Sequence, residues 1–141
     1  MSGEYAPISL DEAVERSAKV LEIFYGAGVE TIRIGLCASE NLCDSDKYYA
    51  GPNHPALGEM VENAFYYNMY KKHLDKNKRY EGMILNISVA KGCLSKAIGQ
   101  KRCNKDRLIR EYGFAEVRFK EDIDLSGYEL KVEEERKKEC T

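Results

Sequence analysis

The pattern that most limits what this chain can fold into lies between residues 80 and 122. Residues 80–90 alternate, with Leu85, Ile87 and Val89 on one side and Ile84, Asn86, Ser88 and Ala90 on the other, which predicts a strand with one apolar face. Residues 92–98 follow as a short helix with Leu94, Ala97 and Ile98 inward. A turn, Gly99-Gln100-Lys101-Arg102, leads into a second helix that starts at Cys103 or Asn104, buries Leu108, Ile109 and Tyr112, and ends at Gly113. Residues 114–119 close the unit as a strand, with Val117 and Phe119 against Glu116 and Arg118. Two short helices meeting at a glycine aim several backbone N–H groups at one point in solvent. Lys101, Arg102, Lys105 and Arg107 crowd around that point, so the turn is expected to be an anion site.

The distribution of charge agrees. Net charge is only −2, yet residues 71–120 hold 14 Lys/Arg against 5 Asp/Glu, while the remainder holds 8 against 19. A basic centre between acidic ends is the electrostatic footprint of a polyanion-binding chain; the alternative is a merely solvated charged surface. Lys96, Gly99, Gln100, Lys101, Arg102, Lys105, Arg107 and Arg110 form the expected nucleic-acid-binding set, with Lys91 at its fringe. Phosphate contacts by these cations would make affinity fall steeply with salt. Leu94 and Ile98 would floor a groove or belong to the core.

With 141 residues the chain suits one compact domain, or a small domain and part of another. A charged fraction of 33% and a hydrophobic fraction of 43% are ordinary for a soluble protein, no apolar run approaches a membrane span, and no signal peptide is visible, so no membrane association and a cytoplasmic location are expected. Cys37, Cys43, Cys93, Cys103 and Cys140 make an odd set, read as reduced thiols. No C-x2-C pair is present, which argues against a zinc ribbon, and the C-x3-C-x2-C spacing of a radical-enzyme iron–sulfur cluster is absent.

Upstream, Ser9 is a good helix N-cap and Glu12 completes a capping box. Leu10, Ala13, Val14, Ala18, Leu21, Phe24 and Tyr25 form an apolar stripe that ends at Gly26 and Gly28. Residues 29–36 are expected as a strand that needs a covering neighbour. Residues 37–53 read as irregular. A helix starts near Pro55, with His54 at its cap, and runs to about His73; Lys71, Lys72 and His73 suit its C-terminal dipole. His54 lacks a Cys or His partner and is read as a cap rather than a ligand or base. Tyr48, Tyr49, Tyr66, Tyr67 and Tyr70 cluster, with stacking on bases or packing against the 29–36 strand as the two readings. Residues 75–79 read as a polar linker, and residues 123–141 as a charged tail whose Glu133–Lys138 run frays as a solvated helix.

Two resemblances follow from these residues. The strand–helix–turn–helix–strand unit around Gly99-Gln100-Lys101-Arg102 resembles the KH module, whose G-x-x-G loop clamps a single-stranded backbone. Arg102 stands where the second glycine would be, replacing close backbone approach by a guanidinium suited to phosphate. Three stretches, residues 9–16 continuing to 32–36, the string Ala50-Gly51-Pro52-Asn53-His54-Pro55-Ala56-Leu57-Gly58-Glu59-Met60-Val61, and residues 95–104, together resemble the C-terminal part of bacterial radical S-adenosylmethionine proteins, the relatives of the elongator catalytic subunit and of oxygen-independent coproporphyrinogen oxidase. That resemblance covers nearly the whole chain. It implies that S-adenosylmethionine and a 4Fe–4S cluster belong only to the related full-length proteins, whose cluster cysteines lie at the other end. It also implies that this chain is a fragment or a separately encoded piece.

The expected fold is therefore α/β (α+β). Residues 1–50 would be the terminal αβ unit of a radical S-adenosylmethionine-type barrel with a loop, 51–79 a linking helix and linker, 80–122 a KH-like β-α-α-β unit, and 123–141 a tail. The expected function is a non-catalytic accessory domain that binds RNA, such as tRNA, or another polyanion. The alternatives are a subunit completing a split radical enzyme by docking on a separate barrel, and a structural remnant. No catalytic residue, metal ligand or cofactor is expected in this chain.

Overall fold

The computed structural model describes residues 8–31, 34 and 57–138. The chain divides into two compact units, Met1–Phe65 and Tyr66–Thr141. It is a mixed α/β protein in which helices accompany a three-stranded sheet.

In the first unit, α1 spans Leu10–Gly26. The Ser9 side chain accepts the Glu12 N–H at 3.2 Å, as an N-cap should, while the Glu12 carboxylate engages Arg16 one turn on instead of reaching back to close a capping box. The other end is a Schellman closure. Val29 N–H donates to Phe24 O at 2.9 Å and Gly28 N–H to Tyr25 O at 3.1 Å, with Gly28 at φ +73°. Ala13, Ala18 and Leu21 of the expected stripe are buried, but Val20, Ile23 and Phe24 are exposed, Ile23 by 67%. Of the strand expected over 29–36, residues 29–31 and 34 are described and none is in a strand; the others lie outside the described residues. His54, Pro55, Tyr48, Tyr49, Cys37, Cys43 and Cys140 lie outside them too.

Helix α2, Leu57–His73, runs across the division between the units. In its first part Val61, Asn63 and Phe65 are buried, and Phe65 meets Tyr25 edge-on at 5.9 Å. Its last two turns place Tyr66, Tyr67 and Tyr70 in the core of the second unit. Tyr66 packs on Tyr128 at 5.8 Å and Tyr70 on Phe119 at 6.1 Å, both contacts lying within the second unit.

The second unit then gives β1 (Met83–Val89), α3 (Leu94–Ile98), a single 3₁₀ turn (Gln100–Arg102), α4 (Cys103–Tyr112), β2 (Glu116–Glu121) and β3 (Leu130–Arg136). The sheet order is β2-β1-β3, with β2 parallel and β3 antiparallel to β1. Residues 130–136, part of the stretch expected to be a charged tail with residues 133–138 fraying as a helix, thus form an edge strand. Leu130 and Val132 alternate with Lys131, and charged residues on an edge guard against further pairing.

The register explains why β1 is buried on both sides. Leu85, Ile87 and Val89 share the inner face with Val117, Phe119, Leu130 and Val132. On the outer face Ile84, Asn86 and Ser88 lie between Glu116, Arg118 and Lys120 on β2 and Glu135, Glu133 and Lys131 on β3. Arg118 spans this face, bonded to Glu116 at 3.0 Å and Glu135 at 3.4 Å. Ile84 and Ser88 on this face are buried as well. The acidic C-terminal run thereby meets the basic centre. Glu135 takes Arg118, and Glu134 lies 3.9 Å from Lys78. Charges segregated along the sequence are partly mixed in space.

Candidate functional site

The turn between α3 and α4 is the most unusual backbone of the second unit. Gly99 has φ +88° and ψ 156°, a conformation essentially reserved for glycine, and Lys101 and Arg102 both lie in the left-handed region at φ +53° and +64°. These two are the non-glycine residues with positive φ among the described residues. The turn closes on itself. Arg102 N–H donates to Gly99 O at 3.0 Å and Cys103 N–H donates to Gln100 O. Of the backbone N–H groups expected to point together at solvent, these two are consumed inside the turn.

A buried polar joint holds the turn from below. Asn104, only 4% exposed, donates its amide to Ala97 O at 3.2 Å, and the Tyr70 hydroxyl donates to the same carbonyl at 2.9 Å. Burial pushes the Tyr70 hydroxyl well above the ordinary tyrosine range, so it remains a donor. One carbonyl at the end of α3 is thus tied to α4 and to α2, which fixes the angle at which the two short helices meet.

Beside the turn lies a groove of about 600 Å³. Leu94 and Ile98 line it with Gly99, Lys101 and Arg102, and Glu121, the last residue of β2, completes its wall. The groove sits where β1 and β2 end, and these strands are parallel. The carboxyl ends of parallel strands are where open α/β sheets take ligands. Leu94 and Ile98 are half-buried, consistent with both the groove-floor and the core reading.

The eight residues expected to bind nucleic acid do not form a single patch. Gly99, Lys101 and Arg102 line the groove. Gln100 is exposed on the turn and Lys96 is half-buried on α3. Arg102 lies 3.7 Å from Asp106, but both side chains are mostly exposed, and such a pair holds the guanidinium only weakly. Along α4, Lys105 and Arg107 point roughly 160° apart. Lys105 faces the start of β2, where its charge reaches Glu116. Arg107 turns toward α2, its guanidinium 4.0 Å above the Tyr67 ring and bonded to Glu111 at 2.8 Å. Arg110 is exposed in the last turn of α4.

The Tyr67–Arg107–Glu111 cluster is invisible in the sequence, because 44 residues separate Tyr67 from Glu111, whose carboxylate accepts the tyrosine hydroxyl. Burial, with that hydrogen bond second, pushes the Tyr67 hydroxyl up. For Glu111, partial burial acts upward, but the hydrogen bonds from Tyr67 and Arg107 outweigh it and its pKa falls below the usual glutamate value. The folded state therefore binds fewer protons here than the unfolded chain. The resulting stability is complete above about pH 4.3 and is lost as pH falls through the lowered value. In urea titrations from pH 7 to pH 2.5, Glu111→Gln is expected to be less stable than the parent at neutral pH and to converge on it in acid. A constant offset at every pH would contradict this.

Glu121 was also not among the expected site residues. The signal for it is the period of β2: Val117, Phe119 and Glu121 share the inner face, so a carboxylate stands at the end of an apolar row. Gly92 N–H donates to its Oε1 at 3.1 Å. Among the described residues, no cluster of three or more His, Cys, Asp and Glu side chains is placed to hold a metal ion, and no helix is long and apolar enough to cross a membrane. Cys93 and Cys103 are free thiols. No family model, curated protein or solved structure matches the chain.

Proposed function

We propose that the second unit is a KH-like, non-catalytic RNA-binding module, the accessory domain of a radical S-adenosylmethionine-like protein, and that it grips a single-stranded backbone at the α3–α4 turn. The observation that carries this reading is the pair of adjacent cations, Lys101 and Arg102, both held in the left-handed backbone region on the rim of a groove. Left-handed backbone costs an L-residue roughly 1–2 kcal/mol, so two in succession oppose folding, and both are exposed cations with no packing role. Strain of that kind gathers where a segment binds something. The β-α-α-β order and the parallel pairing of the two strands around the turn support the KH-like part of the reading.

The expected substrate is RNA with an unpaired stretch, tRNA being a natural probe. Fluorescence anisotropy with labelled tRNA and with a short single-stranded RNA should give binding that weakens linearly on a log–log salt plot, with a slope of about −0.7 per phosphate engaged. Lack of binding to either RNA at low salt would remove the reading.

A second reading, docking of this chain on a separate radical-enzyme barrel, is favoured by the exposed Val20, Ile23 and Phe24 on α1. Self-association of the isolated chain that is relieved by Ile23→Glu would support it.

A further inference from the structure

Resting on the RNA-binding reading, we propose that Glu121 selects the base seated in the groove, and that the base is guanine. The groove changes chemical character along its length. Lys101 and Arg102 stand on its rim, Leu94 and Ile98 offer an apolar surface to a ring, and a carboxylate closes the wall. A carboxylate repels phosphate, so the strand's backbone belongs at the cationic turn and a base edge belongs at Glu121.

Glu121 is held for this task. Gly92 N–H bonds Oε1, which fixes the side chain without using all of its acceptor capacity, because an ionised carboxylate offers about four lone-pair sites. An acceptor-only group discriminates among bases by their donors. Guanine presents N1–H and N2–H side by side on its Watson–Crick edge and can engage both carboxylate oxygens. Cytosine and adenine each offer one exocyclic amine beside a ring acceptor. Uracil offers a single N–H flanked by two carbonyls, which a carboxylate repels. Unstacked bases in single-stranded RNA expose this edge to protein.

The test uses the full chain and four labelled eight-nucleotide RNAs, a uridine tract and the same tract with one central guanine, adenine or cytosine. The guanine-containing strand should bind roughly tenfold or more tighter than the uridine tract, the discrimination expected of a bidentate base contact. Glu121→Gln should reduce that ratio to about twofold and leave the salt slope unchanged. Equal affinity for all four strands with a normal salt slope would overturn the role of Glu121 while leaving RNA binding in place, as would a preference for adenine or cytosine. Absence of binding to every strand at low salt would overturn RNA binding itself. The parent panel decides the question even where Glu121→Gln does not fold.

Discussion

Gly99→Ala is expected to destabilise the second unit by about 2–6 kcal/mol. Two independent costs add. At φ +88° and ψ 156° an alanine is strained by about 1–3 kcal/mol. The added methyl would also run into Cys103 Sγ and lie 2.9 Å from Asn104 N, and Asn104 cannot give way without releasing its bond to Ala97 O. Overpacking of this kind costs about 1–3 kcal/mol. Gly28→Ala is the control. It too has positive φ, but nothing lies within 4 Å of the added methyl, so it should cost only about 1–2 kcal/mol. Urea unfolding of the two variants measures both. Equal losses would mean that backbone strain alone governs Gly99 and that the buried joint beneath the turn carries no weight.

The largest functional effect should come from reversing the two cations of the turn. On the proposed RNA-binding reading, Lys101→Glu with Arg102→Glu removes two charge-assisted contacts, each worth about 1.5–3 kcal/mol, and so should weaken RNA binding about 100-fold or more. Because both side chains are exposed, the fold should survive. Arg102→Gly separates strain from binding. Glycine relieves the left-handed backbone but adds chain entropy, for a net gain of roughly 0.5–1 kcal/mol in stability. RNA affinity should fall at the same time. A residue that opposes folding and favours binding is a functional residue; one whose removal improves both is not.

Much of the second unit is legible in the sequence because its signals are local. The alternation in Leu85, Ile87 and Val89, the apolar spacing of Leu108 and Tyr112, and Gly113 as the end of α4 all correspond to elements the structure contains. Gly99 is legible as a turn, and its need to be glycine has a physical basis in Cys103 and Asn104. What is not legible depends on contacts distant in sequence. Residues 130–136 look like a soluble tail because Glu133, Glu134 and Glu135 lack strand propensity; they pair as β3 because β1 offers an open edge and Arg118 and Lys78 offer charge. Arg107 looks like one more phosphate contact until Tyr67 and Glu111 are seen beside it. The left-handed conformation of Lys101 and Arg102 has no sequence signature, since neither residue type prefers it. The same holds for the groove, where Glu121 joins the turn only through the parallel register of β1 and β2.

The central claim is that the α3–α4 turn binds the RNA backbone through its two cations. The most direct measurement is the salt dependence of RNA affinity for the parent chain and for the Lys101→Glu, Arg102→Glu double variant. The log–log slope should be shallower by about 1.4 in the variant, the loss of two phosphate contacts, and affinity should be lower by about 100-fold. A variant that binds RNA with the parent's slope and affinity would place the interface elsewhere and contradict the account.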